Sequence, residues 1–197
     1  HEGFTVTPSE WWHFDYQGWE RYPILNVPFG QLLGSALPQD TTRYTHADTL
    51  RGSNGPGRAW WDAQFYDLHV ALNPRDSTIK GWNRITYRVV QSGREMQIDL
   101  QSPLTVDSIV QSGRKLKFRR DGNAFFATLG ATQPQGSLKT ITVYYSGKPR
   151  VAPNPPWEGG FSWEQDSLRR PWIVTTDQGL GASVWWPNKD SQVEEPD

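Results

Sequence analysis

Apolar and polar residues alternate over short stretches in the middle of the chain, between residues 63 and 145. In residues 78–90, Ile85, Tyr87 and Val89 recur at a spacing of two, which places them on one face of a β-strand. Similar patterns predict strands at residues 63–72, 95–100, 106–110, 115–118, 124–129 and 138–145. Residues 171–176 add the prediction of a shorter strand.

Glycine-containing turns separate several of these stretches. Ser112-Gly113 and Asp121-Gly122-Asn123 each stand between two predicted strands, as expected for β-hairpins. No stretch carries apolar residues at the 3.6-residue spacing of an amphipathic helix. Many short strands joined by tight turns are typical of an antiparallel β-sandwich or a saddle-shaped sheet. We therefore predict an all-β fold with an aromatic-rich N-terminal extension.

Composition divides the chain into three parts. Residues 1–37 are dense in aromatic side chains and contain three prolines, which disfavours a long helix. Residues 38–58 are rich in Thr, Asp, Ser and Gly, and this composition predicts a polar linker. Residues 59–197 contain the predicted strands and form the expected β-domain. Within it, the proline-rich residues 153–161 are expected to interrupt continuous strand pairing.

Overall composition narrows the classes of function. A net charge of -1 gives no electrostatic reason to expect a nucleic-acid partner. The absence of cysteine excludes disulfides, thiolate metal sites and a cysteine nucleophile. No apolar run approaches the ~20 residues that span a bilayer, so we expect no membrane span. The 11 Trp residues supply core area, while Trp-rich patches and strand edges favour self-association.

The first residue is His1 rather than Met. We expect that a leader, a tag or more protein preceded it, and we favour a periplasmic or secreted location. If His1 is a mature N-terminus, its amino group and ring would be able to hold a metal together with a second His.

Residues 2–6, 9–16 and 22–29 carry a first resemblance. With the motif Glu10-Trp11-Trp12-His13 they resemble the C-terminal end of the zinc D-alanyl-D-alanine dipeptidases. This resemblance implies that Glu10 is a catalytic acid/base and that His13 is a zinc ligand. The other zinc ligands of that family, a His and an Asp, belong to an upstream segment that has no counterpart here. Because a zinc site usually needs three protein ligands, we expect Glu10 and His13 to be remnants.

A second resemblance covers residues 60–197. Residues 65–70, 81–87 and 141–147 resemble successive strands of the N-terminal β-domain of zinc aminopeptidases of the aminopeptidase N type. Residues 159–163, 178–182 and 185–187 resemble the end of that domain. There the family carries a Gln or Glu that grips the free amino group of the substrate. Gln178 stands nine residues before Pro187, which is the family's spacing, so the resemblance implies that Gln178 contacts substrate.

The motifs of the aminopeptidase catalytic domain are expected beyond Asp197. No His-Glu-x-x-His zinc motif occurs anywhere in the sequence. The chain therefore resembles a chimera, in which the tail of one peptidase gene is joined to the head of another. The favoured function is a non-catalytic β-domain from a zinc aminopeptidase-like protein, acting as a scaffold or binding module.

Two alternatives stay open. The first is a metalloenzyme that uses His1, and His13 as a second ligand, to hold copper or zinc, as in the histidine brace of polysaccharide monooxygenases. In this alternative His69 remains a strand residue and His46 a solvated linker residue. No cofactor is assigned with certainty, and zinc and copper are the two metals considered.

The second alternative is a carbohydrate-binding module built on surface Trp residues. In a strand, the doublet Trp60-Trp61 would place one ring on each face, which would leave one ring available for a partner. Glu158, Glu164 and Asp166 lie near Trp residues in the sequence and are weaker candidates for glycoside chemistry. Peptide and polysaccharide are accordingly the two ligand classes considered.

Overall fold

The computed structural model describes residues 4–7, 10–21, 44–191, 194 and 196. The chain divides into two units, His1–Arg43 and Tyr44–Asp197. In the first unit, strands β1 (Phe4–Thr7) and β2 (Glu10–Tyr16) form an antiparallel hairpin. A short 3-10 turn, Trp19–Arg21, follows it.

The second unit begins with a short helix, α1 (His46–Gly52). The Thr45 hydroxyl accepts a hydrogen bond from the Asp48 amide, and the Asp48 carboxylate accepts one from the Thr45 amide at 2.7 Å. This reciprocal capping box satisfies amide groups that the first helical turn leaves free. The helix lies within residues 38–58, for which the sequence predicts a linker. The sequence pattern did not predict it, and the domain boundaries themselves stay predictions.

All remaining strands of the second unit pair antiparallel. They are β3 (Trp61–Asn73), β4 (Thr78–Val89), β5 (Gly93–Asp99), β6 (Thr105–Gln111), β7 (Arg114–Lys115), β8 (Lys117–Asp121), β9 (Ala124–Gln133), β10 (Leu138–Gly147), β11 (Gly160–Gln165) and β12 (Pro171–Thr176). A five-stranded sheet has the order β3-β4-β10-β6-β7, and a three-stranded sheet has the order β5-β9-β8. Strands β11 and β12 form a separate hairpin.

These sheets confirm the predicted all-β, sandwich-like fold. The two predicted hairpin turns are present, because β6 and β7 flank Ser112 and Gly113, while Gly122 lies between β8 and β9. Ser112, Gly113 and Gly122 all have positive φ, as such turns require. Strand β11 was not predicted, because its Gly-rich start reads as a loop. In the part of the chain that the structure describes, no helix has the length and apolar character needed to cross a membrane.

The core contains side chains from both larger sheets. Ile85, Tyr87 and Val143 of the five-stranded sheet and Met96 and Ile98 of the three-stranded sheet are fully buried in one cluster. In β4 and β10 the buried residues alternate with more exposed neighbours at the period of two, whereas in β5 the polar neighbours Gln97 and Asp99 are buried as well. Burial of such side chains stabilises the fold by about 1.5–3 kcal/mol each.

The prediction that the Trp60-Trp61 doublet leaves one ring available is wrong. Both indole rings are buried, since Trp60 precedes the first residue of β3 and does not alternate with Trp61. The Trp60 indole N–H donates to the Glu95 carbonyl at 2.7 Å, and the Trp61 indole N–H donates to the Gly57 carbonyl at 2.9 Å. Both rings meet Tyr87 edge to face.

The contact between Gly93 and the Trp60 ring generates a stability prediction. A Cβ at residue 93 would lie 2.1 Å from the buried indole ring, whereas a Cβ at Gly130 would meet nothing within 4 Å. Gly93→Ala is therefore expected to lower the free energy of unfolding by about 1–3 kcal/mol, and Gly130→Ala by less than about 0.5 kcal/mol. Urea unfolding measures both, and equal stability of the two variants would contradict this packing.

Candidate functional site

The segment that follows β12 carries Gln178, and it is called here the 177–191 loop. A tight turn at its start is closed by the amides of Leu180 and Gly181, which donate to the Asp177 carbonyl at 3.0 Å. Gly179 and Gly181 have positive φ in this turn. Gln178 lies between Asp177 and Gly179 with an exposed side chain. The turn therefore presents the Gln178 amide to solvent on a backbone with a defined shape.

Helix α1 contacts this turn directly. The Arg51 guanidinium donates to the Gly179 carbonyl at 2.9 Å, next to Gln178 in the chain. The Arg51 Nε also lies 3.9 Å from a carboxylate oxygen of Asp190, near the end of the loop. One side chain of the helix thus links the start of the loop to its end.

Gln101 and Ser183 hold the middle of the loop. The Gln101 side-chain amide donates to the Leu180 carbonyl at 2.6 Å and to the Ser183 hydroxyl at 2.9 Å. The Gln101 backbone amide donates to the Ser183 carbonyl at 2.8 Å. The Ser183 hydroxyl in turn donates to the Asp190 carboxylate at 2.6 Å. The Gln101 side chain therefore satisfies a backbone carbonyl of this loop, and the buried Ser183 hydroxyl links Gln101 to Asp190.

Asp99, at the end of β5, is the hub of the buried contacts. Its carboxylate accepts hydrogen bonds from the Gln97 side chain at 2.9 Å and from the Asp190 amide at 3.0 Å. The Arg58 Nη2 atom lies 2.7 Å from the same carboxylate, and both side chains are almost fully buried. Asp99 and Asn188 also exchange two backbone hydrogen bonds, which adds the loop to the edge of the sheet.

The Asp99 carboxyl group experiences opposing electrostatic effects. Burial raises its pKa, because desolvation disfavours the charged form. The Arg58 guanidinium and the hydrogen bonds from Gln97 and Asp190 lower the pKa and partly oppose that effect. Burial also raises the pKa of Asp177, and the nearby Asp190 carboxylate adds to that rise. Acidic groups beside the loop are thus partly desolvated, and Asp99 and Asp190 lie close to the guanidinium groups of Arg58 and Arg51.

Lys189 and Glu194 anchor the end of the loop beside β3. The buried Lys189 ammonium group donates to the Trp61 carbonyl at 2.5 Å and forms an ion pair with the Glu194 carboxylate. The other oxygen of that carboxylate accepts from the Ala63 amide at 2.9 Å. The Tyr66 hydroxyl accepts from the Lys189 amide, and burial raises the pKa of this phenol.

A cavity of about 850 Å³ opens between α1 and the 177–191 loop. Its lining includes Asp48, Arg51, Arg58, Gly179 and Asp190. The arrangement offers carboxylates, guanidinium groups and backbone carbonyls, which suit hydrogen bonding to a polar ligand. Within the described residues, no group of three or more His, Cys, Asp or Glu side chains is placed to hold a metal ion.

The other candidate ligands lie in the first unit. His1 lies outside the described residues, and the backbones of Glu10 and His13 belong to β2. The side chains of Glu10 and His13 are outside the described part, so their proposed catalytic and metal roles stay predictions. The dipeptidase-like origin of residues 1–37 also stays a prediction.

His46, His69 and Asp166, three further candidates from the sequence, each have a side-chain partner. His46 lies on α1, largely exposed, and its Nε2 atom is 3.0 Å from the Asp121 carboxylate. His69 is a surface residue of β3 beside Asp67. Asp166 accepts hydrogen bonds from Arg170 within the β11–β12 turn, and these bonds lower the pKa of Asp166. Asp166 therefore stabilises the β11–β12 turn.

Comparisons with known proteins extend the description of the fold. No family model and no curated protein matches the sequence. Among solved structures, an M1 zinc metallopeptidase from Deinococcus radiodurans matches with a TM-score of 0.57 and 17% identity, over 71% of this chain and 31% of that one. A mutant of that enzyme bound to a Tyr-Ser-Ala substrate matches with a TM-score of 0.57 and 18% identity, over 74% of this chain and 33% of that one.

A third similar structure is yeast leukotriene A4 hydrolase in complex with bestatin. Its TM-score is 0.59 at 15% identity, over 86% of this chain and 26% of that chain. This chain therefore spans at most about a third of the length of these enzymes. At these identities the similarity establishes a shared fold, that of a β-rich portion of M1 zinc metallopeptidases.

Sequence reasoning missed the residues that hold the loop. Arg58, Gln97 and Asp99 stand in stretches that read as linker and strand, and nothing in their spacing indicates that they meet. The alternation in β5 predicts that Gln97 and Asp99 are exposed, like Glu95, whereas the structure buries both of them. A buried polar side chain in a strand indicates a partner that has to come from elsewhere.

Removal of Arg58 tests whether its ion pair with Asp99 stabilises the domain. Arg58→Met leaves the buried Asp99 carboxylate without its cation, so we expect a loss of about 3–5 kcal/mol in the free energy of unfolding. The control is Arg84→Met, which removes an exposed partner of Asp67 and is expected to cost less than about 1 kcal/mol. Urea unfolding provides both values. If Arg58→Met lowers the free energy of unfolding no more than the control does, the Arg58–Asp99 pair does not have this stabilising role.

Proposed function

We propose that residues 59–197 are the non-catalytic β-domain of a zinc aminopeptidase-like protein and act as a scaffold. The similarity in fold to M1 zinc metallopeptidases carries this proposal. The resemblance of residues 178–187 to the end of the aminopeptidase N-terminal domain supports it. In this proposal the zinc-dependent chemistry belongs to a catalytic domain that these residues do not include.

The scaffold's role is to hold the 177–191 loop in one shape. Asp99 and Gln101 fix its backbone from the side of the sheet, and Arg51 fixes the turn from the side of α1. A loop with so many buried hydrogen bonds loses little conformational entropy when it meets a ligand. The side chain that it leaves exposed at the turn is Gln178.

Gln178 is proposed to contact the free amino group of a peptide. Its side-chain carbonyl oxygen accepts hydrogen bonds, and a peptide ammonium group donates up to three. A single amide holds such a ligand weakly, so productive binding requires further contacts from the catalytic domain.

The scaffold proposal predicts that the chain has no peptidase activity by itself. Residues 1–197, supplied with zinc, are expected to release no p-nitroaniline from alanine, leucine or arginine p-nitroanilide beyond the background. The Deinococcus radiodurans metallopeptidase serves as a positive control. Metal analysis of the same protein, with its N-terminal mass verified and after zinc or copper loading, accompanies the assay. Hydrolysis that a chelator abolishes would overturn the proposal.

The role of Gln178 is tested by nuclear magnetic resonance with the tripeptide Tyr-Ser-Ala. At millimolar peptide, the side-chain amide signal of Gln178 is expected to shift, because the ammonium group binds to its carbonyl oxygen. N-acetylated Tyr-Ser-Ala should cause no shift, since it lacks the charged amine. Gln165, which is also exposed, is the internal control. Equal responses to the two peptides, or equal responses of the two glutamines, would exclude the proposed contact.

A further inference from the structure

The outer face of the five-stranded sheet carries a row of rings that the proposed function does not use. On β4, Ile85 and Tyr87 point into the core, so Trp82 and Arg84 belong to the opposite face. On β10, Val143 is buried while Tyr144 is 40% exposed. The sheet thus has an outer surface with its own pattern of side chains.

Strand register places three rings side by side across this surface. His69 of β3 lies opposite Trp82 of β4, and Trp82 lies opposite Tyr144 of β10. Ser108 of β6 continues the row. Neighbouring strands are about 4.8 Å apart, so the row from His69 to Tyr144 spans roughly 10 Å. This row of His69, Trp82 and Tyr144 is called the aromatic row.

Contacts within the surface fix two of the rings. The His69 and Trp82 rings stack with centroids 3.9 Å apart and planes 18° apart. The His69 Nε2 atom lies 2.9 Å from the Asp67 carboxylate, which holds the imidazole in position. The Arg84 guanidinium lies over the Trp82 ring at 5.2 Å and 3.6 Å from Asp67. These rings are therefore ordered before any ligand arrives.

Gly81 lies next to this stack in β4. A Cβ at residue 81 would lie 2.1 Å from the His69 carbonyl oxygen. Without a side chain at this position, β3 and β4 approach closely beside the aromatic row. The sequence therefore places its one glycine of β4 next to the ring pair, where a close backbone approach is needed.

Hydrogen-bonding groups flank the row on both sides. Arg84 and Thr142 are paired on one side, and Lys80 and Ser146 are paired on the other. The Ser146 hydroxyl donates to the Asp107 carboxylate at 2.9 Å. Flat rings bordered by donors and acceptors are the arrangement that binds ligands with both apolar and polar surfaces.

The charges of this surface nearly balance. Asp67 faces both Arg84 and His69, while Lys80 and Asp107 contribute opposite charges on the other side of the row. A balanced surface does not attract a polyanion such as a nucleic acid or an anionic membrane. A neutral ligand rich in hydroxyl groups fits this surface better. Such a ligand binds through hydrogen bonds and ring contacts and does not require a surface of opposite charge.

We propose that the aromatic row binds a neutral polysaccharide chain. Sugar C–H groups pack on the exposed Tyr144 ring and on the side of the His69 ring that faces away from Trp82, and sugar hydroxyls pair with the flanking polar groups. The length of the row, roughly 10 Å, accommodates about two sugar units when strands are about 4.8 Å apart. This proposal is independent of the peptidase-like role of the 177–191 loop, which lies on a different part of the domain.

Retention on insoluble polysaccharides tests the aromatic row. The full chain is incubated with cellulose, xylan and chitin, and the unbound fraction is measured over a range of polysaccharide concentrations. We expect retention on at least one of the three. Tyr144→Ala and His69→Ala should each weaken it about tenfold, the equivalent of about 1.4 kcal/mol. Both positions are substantially exposed, so these variants are expected to fold, and thermal unfolding verifies this.

Trp172→Ala is the matched control, because Trp172 is 61% exposed on β12 and lies outside the aromatic row. Retention equal to that of the wild type in this control, together with weakened binding of the two row variants, supports the proposal. No retention of the wild type on any of the three polysaccharides overturns it. Unchanged binding of folded Tyr144→Ala and His69→Ala overturns it as well.

Discussion

The buried ion pair between Arg58 and Asp99 is the interaction on which the arrangement of the second unit depends. Arg58 follows helix α1, and Asp99 ends strand β5, so the pair joins segments that are far apart in sequence. Arg58 also donates to the carbonyls of Arg51 and Ser53, which fixes the end of the helix. Asp99 receives the Asp190 amide, which fixes the loop. A buried carboxylate demands such partners, because an unpaired charge in a core is costly.

This constraint explains how the β-domain holds the 177–191 loop in one shape. Strand β5 pairs with the loop through Asp99 and Asn188, and the Arg58–Asp99 ion pair holds Asp99 in place. Gln178, in the turn at the start of the loop, remains exposed. The same sheets leave an outer face on which His69, Trp82 and Tyr144 meet. The two surfaces differ chemically, since the loop is held by buried charged and polar groups, whereas the outer face is nearly neutral and aromatic.

The alternation of residues was sufficient to predict most strands and the two hairpin turns. Strand β12 has the predicted bounds, and β4 differs from its prediction by one residue. Helix α1 was missed because it is short and exposed, so it has no apolar stripe, although its Thr45 and Asp48 capping box is a local signal. The expectation of an open Trp60-Trp61 doublet was wrong because both rings entered the core.

What the sequence determined by itself is local: strand periods, glycine turns and the position of Gln178 relative to Pro187 all depend on neighbours in the chain. What only the tertiary structure decided is which distant polar groups share a buried environment. Arg58 and Asp99 are 41 residues apart, and Gln101 and Leu180 are 79 apart. No period encodes such pairs, because they form only after the sheets and the loop have been brought together.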